Sequence, residues 1–383
     1  MHVLVTGGVG FIGSFVCERL LVAGHEVRVL DNLDPQVHPE GTPLYLPRQA
    51  DFRVGDVRNP DTCRLALEGV DVVVHCAAAV GVAQSLYRVA HYVDVNVRGT
   101  ATLLDCLLKQ RPAIAKLVLM TSMTEYGEGL YRRRSDGRLL RVGIRREEEI
   151  QRWGWEPVCP ETREPLEPVP TPEDAAPLAR NVYALTKRYQ EELALSLAAT
   201  YGFPVVCLRL FNVYGPRQSL SNPYTGVIAI FLSRLLAGEP PVVYEDGRQT
   251  RDFVSVHDVV DAILATVDTS GAHGQVVNIG SGIPRAIAEV AGTLARLTGR
   301  EAILPVITQQ YRRGDVRHCT ADKTRAHRLL GFAPKISWEE GLRELIEWAK
   351  TSGSIDRFTE AERELRERGL LADGTPGREV GRS

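Results

Sequence analysis

The chain has 383 residues, 44% apolar and 25% charged, with 34 Gly and 22 Pro. This ordinary globular composition excludes a low-complexity chain, a collagen-like repeat and a small disulfide scaffold. With 46 basic against 48 acidic residues the formal charge is −2, so nothing in the balance advertises a nucleic acid or an anionic membrane as partner. Seven scattered Cys, never spaced C-x-x-C, argue for free thiols in a reducing compartment. No apolar run is long enough to span a bilayer, and Met1-His2 leads straight into a strand-like Val3-Leu4-Val5. The expectation is a cytoplasmic protein of about two domains.

The first 125 residues alternate short apolar runs with amphipathic stretches. Strands are predicted at 2–6, 26–31, 51–55, 71–76 and 116–121, and helices at 12–23, 61–68 and 97–109. Strands this apolar, separated by helices, read as a parallel sheet covered on both faces. Such sheets bind ligands at the carboxyl ends of their strands. Residues 128–178 break the pattern, with Trp153 and Trp155 and a run of prolines at 157, 160, 165, 168, 170, 172 and 177. The segment is too long for an ordinary loop and too proline-rich for a continuous helix. It reads as an insertion: either a wall of the site, or a surface loop whose Trp pair packs on a second domain. A helix at 180–201 and a strand at 204–210 resume the first pattern. Shorter-ranged helices follow near 226–237, 256–268, 286–298, 322–330 and 338–350. The predicted organisation is α/β: a doubly wound parallel sheet over 1–212, a smaller mixed domain over 213–350, and a peripheral tail over 351–383 with one charged helical stretch at 358–368.

Between the first strand and the first helix lies Thr6-Gly7-Gly8-Val9-Gly10-Phe11-Ile12-Gly13. Glycines at 7, 10 and 13 allow a tight turn, a close approach of backbone to a diphosphate and close helix–strand packing, and the helix N-terminus offers N–H groups to the anion. A plain tight turn would use glycine too. The second strand, however, ends at Asp31-Asn32, where a carboxylate can accept from both ribose hydroxyls and would repel a 2′-phosphate. The prediction is a Rossmann-type site for NAD rather than NADP. Gly55-Asp56-Val57 after the third strand would meet the adenine, and the small Ala77, Ala78 and Ala79 after the fourth would let a dinucleotide lie against the sheet.

Tyr183-Ala184-Leu185-Thr186-Lys187 is Y-x-x-x-K on a predicted helix, so phenol and ammonium share one face. The chain uses 40 Arg and only 6 Lys, and a compact, tunable ammonium suits a role that Arg does not fill. The fifth strand runs out at Thr121-Ser122, where a hydroxyl can hold a substrate oxygen. An ammonium near Tyr183 is expected to lower the phenol towards working pH. His75, His257 and His318 show no metal-ligand spacing and read as structural.

With these residues in place, the chain resembles the extended short-chain dehydrogenase/reductase family, specifically its NAD-dependent sugar-nucleotide epimerases and dehydratases. The matching stretches are TGGVGFIG, Asp31-Asn32, HCAA at 75–78, VDVNVRGT at 93–100, TSMTEYG at 121–127, YALTK, LRLFNVYGP at 208–216, RDFVSVHD at 251–258 and RRGDVRH at 312–318. The resemblance implies a catalytic trio of Ser122, Tyr183 and Lys187, with Lys187 also holding the nicotinamide ribose. It implies cofactor contacts from Phe11, Ile12, Asn32, Leu210 and Asn96, the last supporting the Lys187 helix. Substrate contacts would come from Thr124, Asn212, Arg251 and Arg312. It also implies a homodimer through the helices bearing Tyr183 and residues 97–109. Dehydratases of the family carry Asp and Glu where this chain has Met123 and Thr124, which ranks water loss low. Val80 stands where UDP-galactose-type epimerases often have Lys. The insertion, PTPED at 170–174 and AAAVGVAQS at 77–85 look like the dTDP-L-rhamnose 4-epimerase branch. The expected activity is a closed 4-epimerisation with retained NAD. A dehydrogenase or reductase, a dehydratase or decarboxylase, and a non-catalytic dinucleotide sensor are the alternatives.

Overall fold

The apolar runs at the N-terminal end pair in register as one all-parallel sheet in the structure, a computed structural model that describes residues 1–39, 41–110, 114–222, 224, 226–353 and 356–374. Across the sheet the strands run Gln275–Ile279, Val205–Leu210, Lys116–Ser122, Val72–His75, His2–Thr6, Glu26–Asp31, Asp51–Val54. Successive side chains of each strand alternate between two cores. Val3, Val5, Val72, Val74, Val118 and Met120 pack on one face with Val16 and Leu20, while Leu4, Val73, Leu117 and Leu119 pack on the other with Leu103, Leu107 and Ala194. Both faces are dry, as continuous β-branched strands require. The order reverses at His2–Thr6, whose neighbours are Glu26–Asp31 and Val72–His75, so the ligand crevice opens above that strand.

Three expectations need correction. The division at 212/213 is crossed twice, because Gln275–Ile279 extends the main sheet beside Val205–Leu210 and the helix Val256–Asp268 packs into its core, with Asp261 paired to Arg19 at 2.7 Å. The helix expected at 97–109 begins earlier: Val89–Tyr92 is α-helical, Val93–Arg98 is π-helical and Gly99–Lys109 is α-helical again. The tail is not peripheral over its described part. Phe358–Glu367 is a helix with Ala361 and Leu365 buried, and Leu371–Asp373 pairs antiparallel with Gln310–Arg312; residues 375–383 lie outside the described residues.

The remaining C-terminal elements form a second lobe around Phe231, Leu232, Phe253, Val290, Leu294, Leu342 and Ile346. Residues 128–178 fold as a three-stranded antiparallel sheet (Leu139–Arg141, Leu130–Arg133, Leu166–Val169) and a helix, Glu147–Trp153. This unit docks on the second lobe. Arg317, fully buried, pairs with Glu156, Glu245 and Asp246, and Arg145 pairs with Glu245 at 2.7 Å. Trp155 lies edge-on to Tyr311, 5.9 Å between centroids. Among the described residues, no helix is long and apolar enough to cross a membrane.

Candidate active site

The glycine turn does what its spacing predicts. Gly7 has φ +67°, and a Cβ there would stand 2.7 Å from Ala77 N; a Cβ on Gly13 would stand 2.2 Å from Gly7 O. Only glycine leaves this cradle open at the N-terminus of Phe11–Val22. The Asp31 carboxylate accepts from Val9 N at 3.0 Å and from Leu33 N at 2.9 Å, so it holds the turn as well as facing the crevice. Asn32 Nδ2 donates to Asp56 at 3.2 Å, and Asp56 in turn takes Arg58. Hydrogen bonds from Arg58 hold the Asp56 carboxyl down at about 2. Arg58, also bound to Asp94 at 2.7 Å, is thus committed to two carboxylates.

Gly7, Gly10, Phe11, Ile12, Gly13, Asp31, Asn32, Asp56 and Val57 line one continuous cavity of about 620 Å³. Ala77, Ala78, Ala79 and Leu210 line it too, and so do Ser122, Thr124, Tyr183, Lys187, Asn212, Arg251 and Arg312. Asn96 does not. It is fully buried in the π-helical segment, accepts from Ala79 N at 2.8 Å and donates to Ala79 O and to Thr186 Oγ1 at 2.9 Å. Its contact is with the loop under the cofactor region and with the residue before Lys187, which corrects its assignment as a cofactor ligand. None of residues 128–178 lines the cavity, so the insertion buttresses the second lobe and is not a wall of this chamber.

Ser122 ends the fifth strand and caps the turn Met123–Tyr126: its Oγ accepts from Thr124 N and from Thr124 Oγ1 at 2.9 Å, and its N–H donates to Glu125 Oε1. Tyr183 sits in the first turn of Val182–Tyr201, whose Asn181 cap accepts from Ala184 N at 2.9 Å. Burial pushes the Tyr183 phenol up to about 12, with Ser122 pulling it down and Glu125 adding to the rise. The expected lowering by Lys187 is therefore not found: desolvation wins. Lys187 Nζ donates to Met120 O at 3.0 Å, and burial lowers its ammonium to about 8.

Glu125 was missed as a candidate. It is fully buried, lies outside the cavity wall, and its Oε2, 3.7 Å from Arg209 Nε, has no hydrogen-bond partner among the described residues. Arg209 is already engaged by Glu191 at 2.9 and 2.5 Å. Burial first, then Glu191, push the Glu125 carboxyl up to about 8. On the far wall Asp315 joins the two arginines, Oδ1 taking Arg251 at 3.0 Å and Oδ2 taking Arg312 at 2.7 Å. Asn212, Gln218 and Gln249 also line the cavity, and among the described residues their buried side-chain oxygens have no hydrogen-bond partner. Unpaired buried acceptors are costly; the two glutamines carry no expectation from the sequence.

His75 is sandwiched between Thr6 Oγ1 (2.6 Å) and Thr100 Oγ1 (3.0 Å), while His257 meets Glu344 and His318 meets Glu156. None of the three lines the cavity.

A model of the NAD-dependent epimerase/dehydratase family matches residues 3–140 and 159–280. The chain is 37% identical over 355 residues to a dTDP-L-rhamnose 4-epimerase of Burkholderia thailandensis, covering 90% of this chain and 94% of that one. It is 31% identical to a UDP-N-acetyl-alpha-D-glucosaminuronate decarboxylase of Bacillus cytotoxicus, covering 90% and 96%. The solved UDP-glucose 4-epimerase of Thermus thermophilus in complex with NAD superposes with a TM-score of 0.73 at 28% identity, over 92% of this chain and all of that one.

Proposed function

The chain belongs to the NAD-dependent epimerase/dehydratase family, and on that premise we propose that it is a 4-epimerase of a dTDP- or UDP-linked hexose. One observation carries the reading: a single cavity brings the glycine cradle and Asp31 together with Ser122, Tyr183 and Lys187. The cradle fits a dinucleotide, and NAD, when bound, supplies reversible hydride chemistry at the sugar C4. Tyr183 takes the proton of the C4 hydroxyl and later returns it, Ser122 fixes the oxygen, and Lys187, four residues along the same helix, would hold the nicotinamide ribose. Arg251 and Arg312, oriented by Asp315, hold the diphosphate with forked donors. Asn212, Gln218 and Gln249 accept from sugar or base N–H and O–H groups. Met123 and Thr124 supply no acid for water loss, and Glu125, sealed behind Ser122, does not replace them. Exposed Leu185, Tyr189 and Leu193, four residues apart on the Tyr183 helix, support a homodimer; the proposed setting is the reducing cytoplasm.

The test starts with the nucleotide released on denaturation: near one NAD per chain supports retained cofactor, and released NADP overturns the reading of Asp31. A panel of dTDP- and UDP-sugars should then reveal C4 inversion. Tyr183→Phe should keep NAD and lose roughly 10²–10⁴-fold in turnover; a near-parental rate ends the assignment. The decarboxylase relative favours one second reading, which CO₂ release from a UDP-uronate in the same panel would support.

A further inference from the structure

The described tail was expected to be peripheral, yet Phe358, Ala361, Leu365 and Leu370 line the same cavity as Tyr183. Three sets of contacts hold it there. Arg234 of the helix Val227–Ala237 pairs with Asp356 at 3.1 Å and lies 4.7 Å over the Phe358 ring. Glu364 Oε2 lies 2.7 Å from the phenol of Tyr87 and 2.7 Å from that of Tyr224, and the two phenols are 2.7 Å apart. Tyr87 follows the fourth strand of the main sheet and Tyr224 precedes the second-lobe helix, so one carboxylate ties both lobes. Finally Leu371 pairs with Arg312, and Leu370 O accepts from Arg313 N at 3.1 Å.

These contacts also say which end of the chamber the tail covers. Arg312 lies 5.5 Å over the Tyr244 ring, and the tail residues Glu362 and Arg366 are among the charges acting on that phenol. The segment therefore lies beside the two phosphate-holding arginines. An apolar underside there suits a flat heteroaromatic group.

We propose that residues 356–374 roof the nucleoside end of the substrate chamber, with Phe358, Ala361 and Leu365 covering the base and Glu364 latching the roof to both lobes. The inference rests on the sugar-nucleotide reading above and deepens it, making the tail a determinant of nucleotide affinity and base preference. The roof predicts effects on binding, not on the retained cofactor.

The experiment measures UDP and dTDP binding by calorimetry on the full-length, NAD-loaded chain. Ala361→Phe, which fills the roof, and Glu364→Ala, which removes the latch at a part-exposed site, should each weaken both nucleotides roughly tenfold. Leu365→Ala, which opens the roof, should change the dTDP-to-UDP affinity ratio. All three should retain parental NAD content. If Ala361→Phe fails to fold, Glu364→Ala decides the question. Variants that hold NAD and bind both nucleotides within twofold of the parent, with an unchanged ratio, overturn the roof. A parent that holds NAD but binds neither nucleotide overturns the sugar-nucleotide reading instead.

Discussion

Asn96 donates to the hydroxyl of Thr186 at 2.9 Å and grips both backbone groups of Ala79. A side chain in the π-helical turn thereby locks the loop after the fourth strand to the helix that carries Tyr183 and Lys187. Such turns recur at functional sites because one extra residue re-aims a side chain.

Asn96→Ala should leave Ala79 N–H, Ala79 O and Thr186 short of a partner, costing about 1–3 kcal/mol. Thermal unfolding should report that loss. If Asn96 also positions the trio, kcat should fall while KM for the nucleotide sugar holds. A variant with lowered melting temperature and parental kcat would reduce Asn96 to a packing role.

Glu125 lies close enough to raise both Tyr183 and Lys187 when ionised. Its own carboxyl, pushed up to about 8 by burial, is neutral at lower pH and charged above it. Glu125→Gln keeps an acceptor for Ser122 N and removes the charge. The pH–rate profiles should superimpose well below pH 8 and diverge above it, with the base titrating at lower pH in the variant. Profiles that coincide throughout would sink this account.

Burial lowers His75 from 6.5 to about 3. The folded state holds it neutral while the unfolded chain protonates it, so its contribution is intact above 6.5 and is lost as pH falls from there towards 3. The slope from this group is about 1.4 kcal/mol per pH unit. His75→Gln should be less stable at pH 7 and should flatten the acid limb of a denaturation series; an unchanged limb would assign acid unfolding to other groups.

Leu185, Tyr189 and Leu193 are 41%, 57% and 37% exposed on one helix face, and Val89 and Val93 are exposed as well. Replacing Tyr189 and Leu193 together by Glu should weaken self-association by at least about 2 kcal/mol, roughly thirtyfold in dissociation constant. Sedimentation should show monomers that keep NAD; a parent that is itself monomeric refutes the interface.

Local chemistry made the cofactor half readable. Gly7 and Gly13 need their spacing because the clashes are with atoms a few residues or one strand away, and Asp31 closes the neighbouring strand. Tyr183 and Lys187 were legible for the same reason, four positions apart on one helix. The Ser122-x-x-Glu125 spacing is a capping-box pattern legible in TSMTEYG, but it does not show that Glu125's neighbours in space, Glu191 and Arg209, come from far along the chain and bury it. The tail did carry a signal: Phe358, Ala361 and Leu365 fall at i, i+3 and i+7, an apolar stripe masked by the surrounding charge. Nothing local marked Gln275–Ile279 as part of the main sheet, since its partner, Val205–Leu210, lies more than sixty residues earlier, beyond elements of both lobes.

That last strand ties the order of synthesis to the order of folding. Until residue 279 leaves the ribosome, the wholly buried strand Val205–Leu210 has no neighbour on its outer side. A nascent chain or an expressed fragment stopping near 212 would thus present an apolar, unpaired edge of the kind that recruits other chains. The main sheet is therefore finished only at residue 279, well past the 212/213 division and while the part of the second lobe's core from Ile287 onward is still to be made.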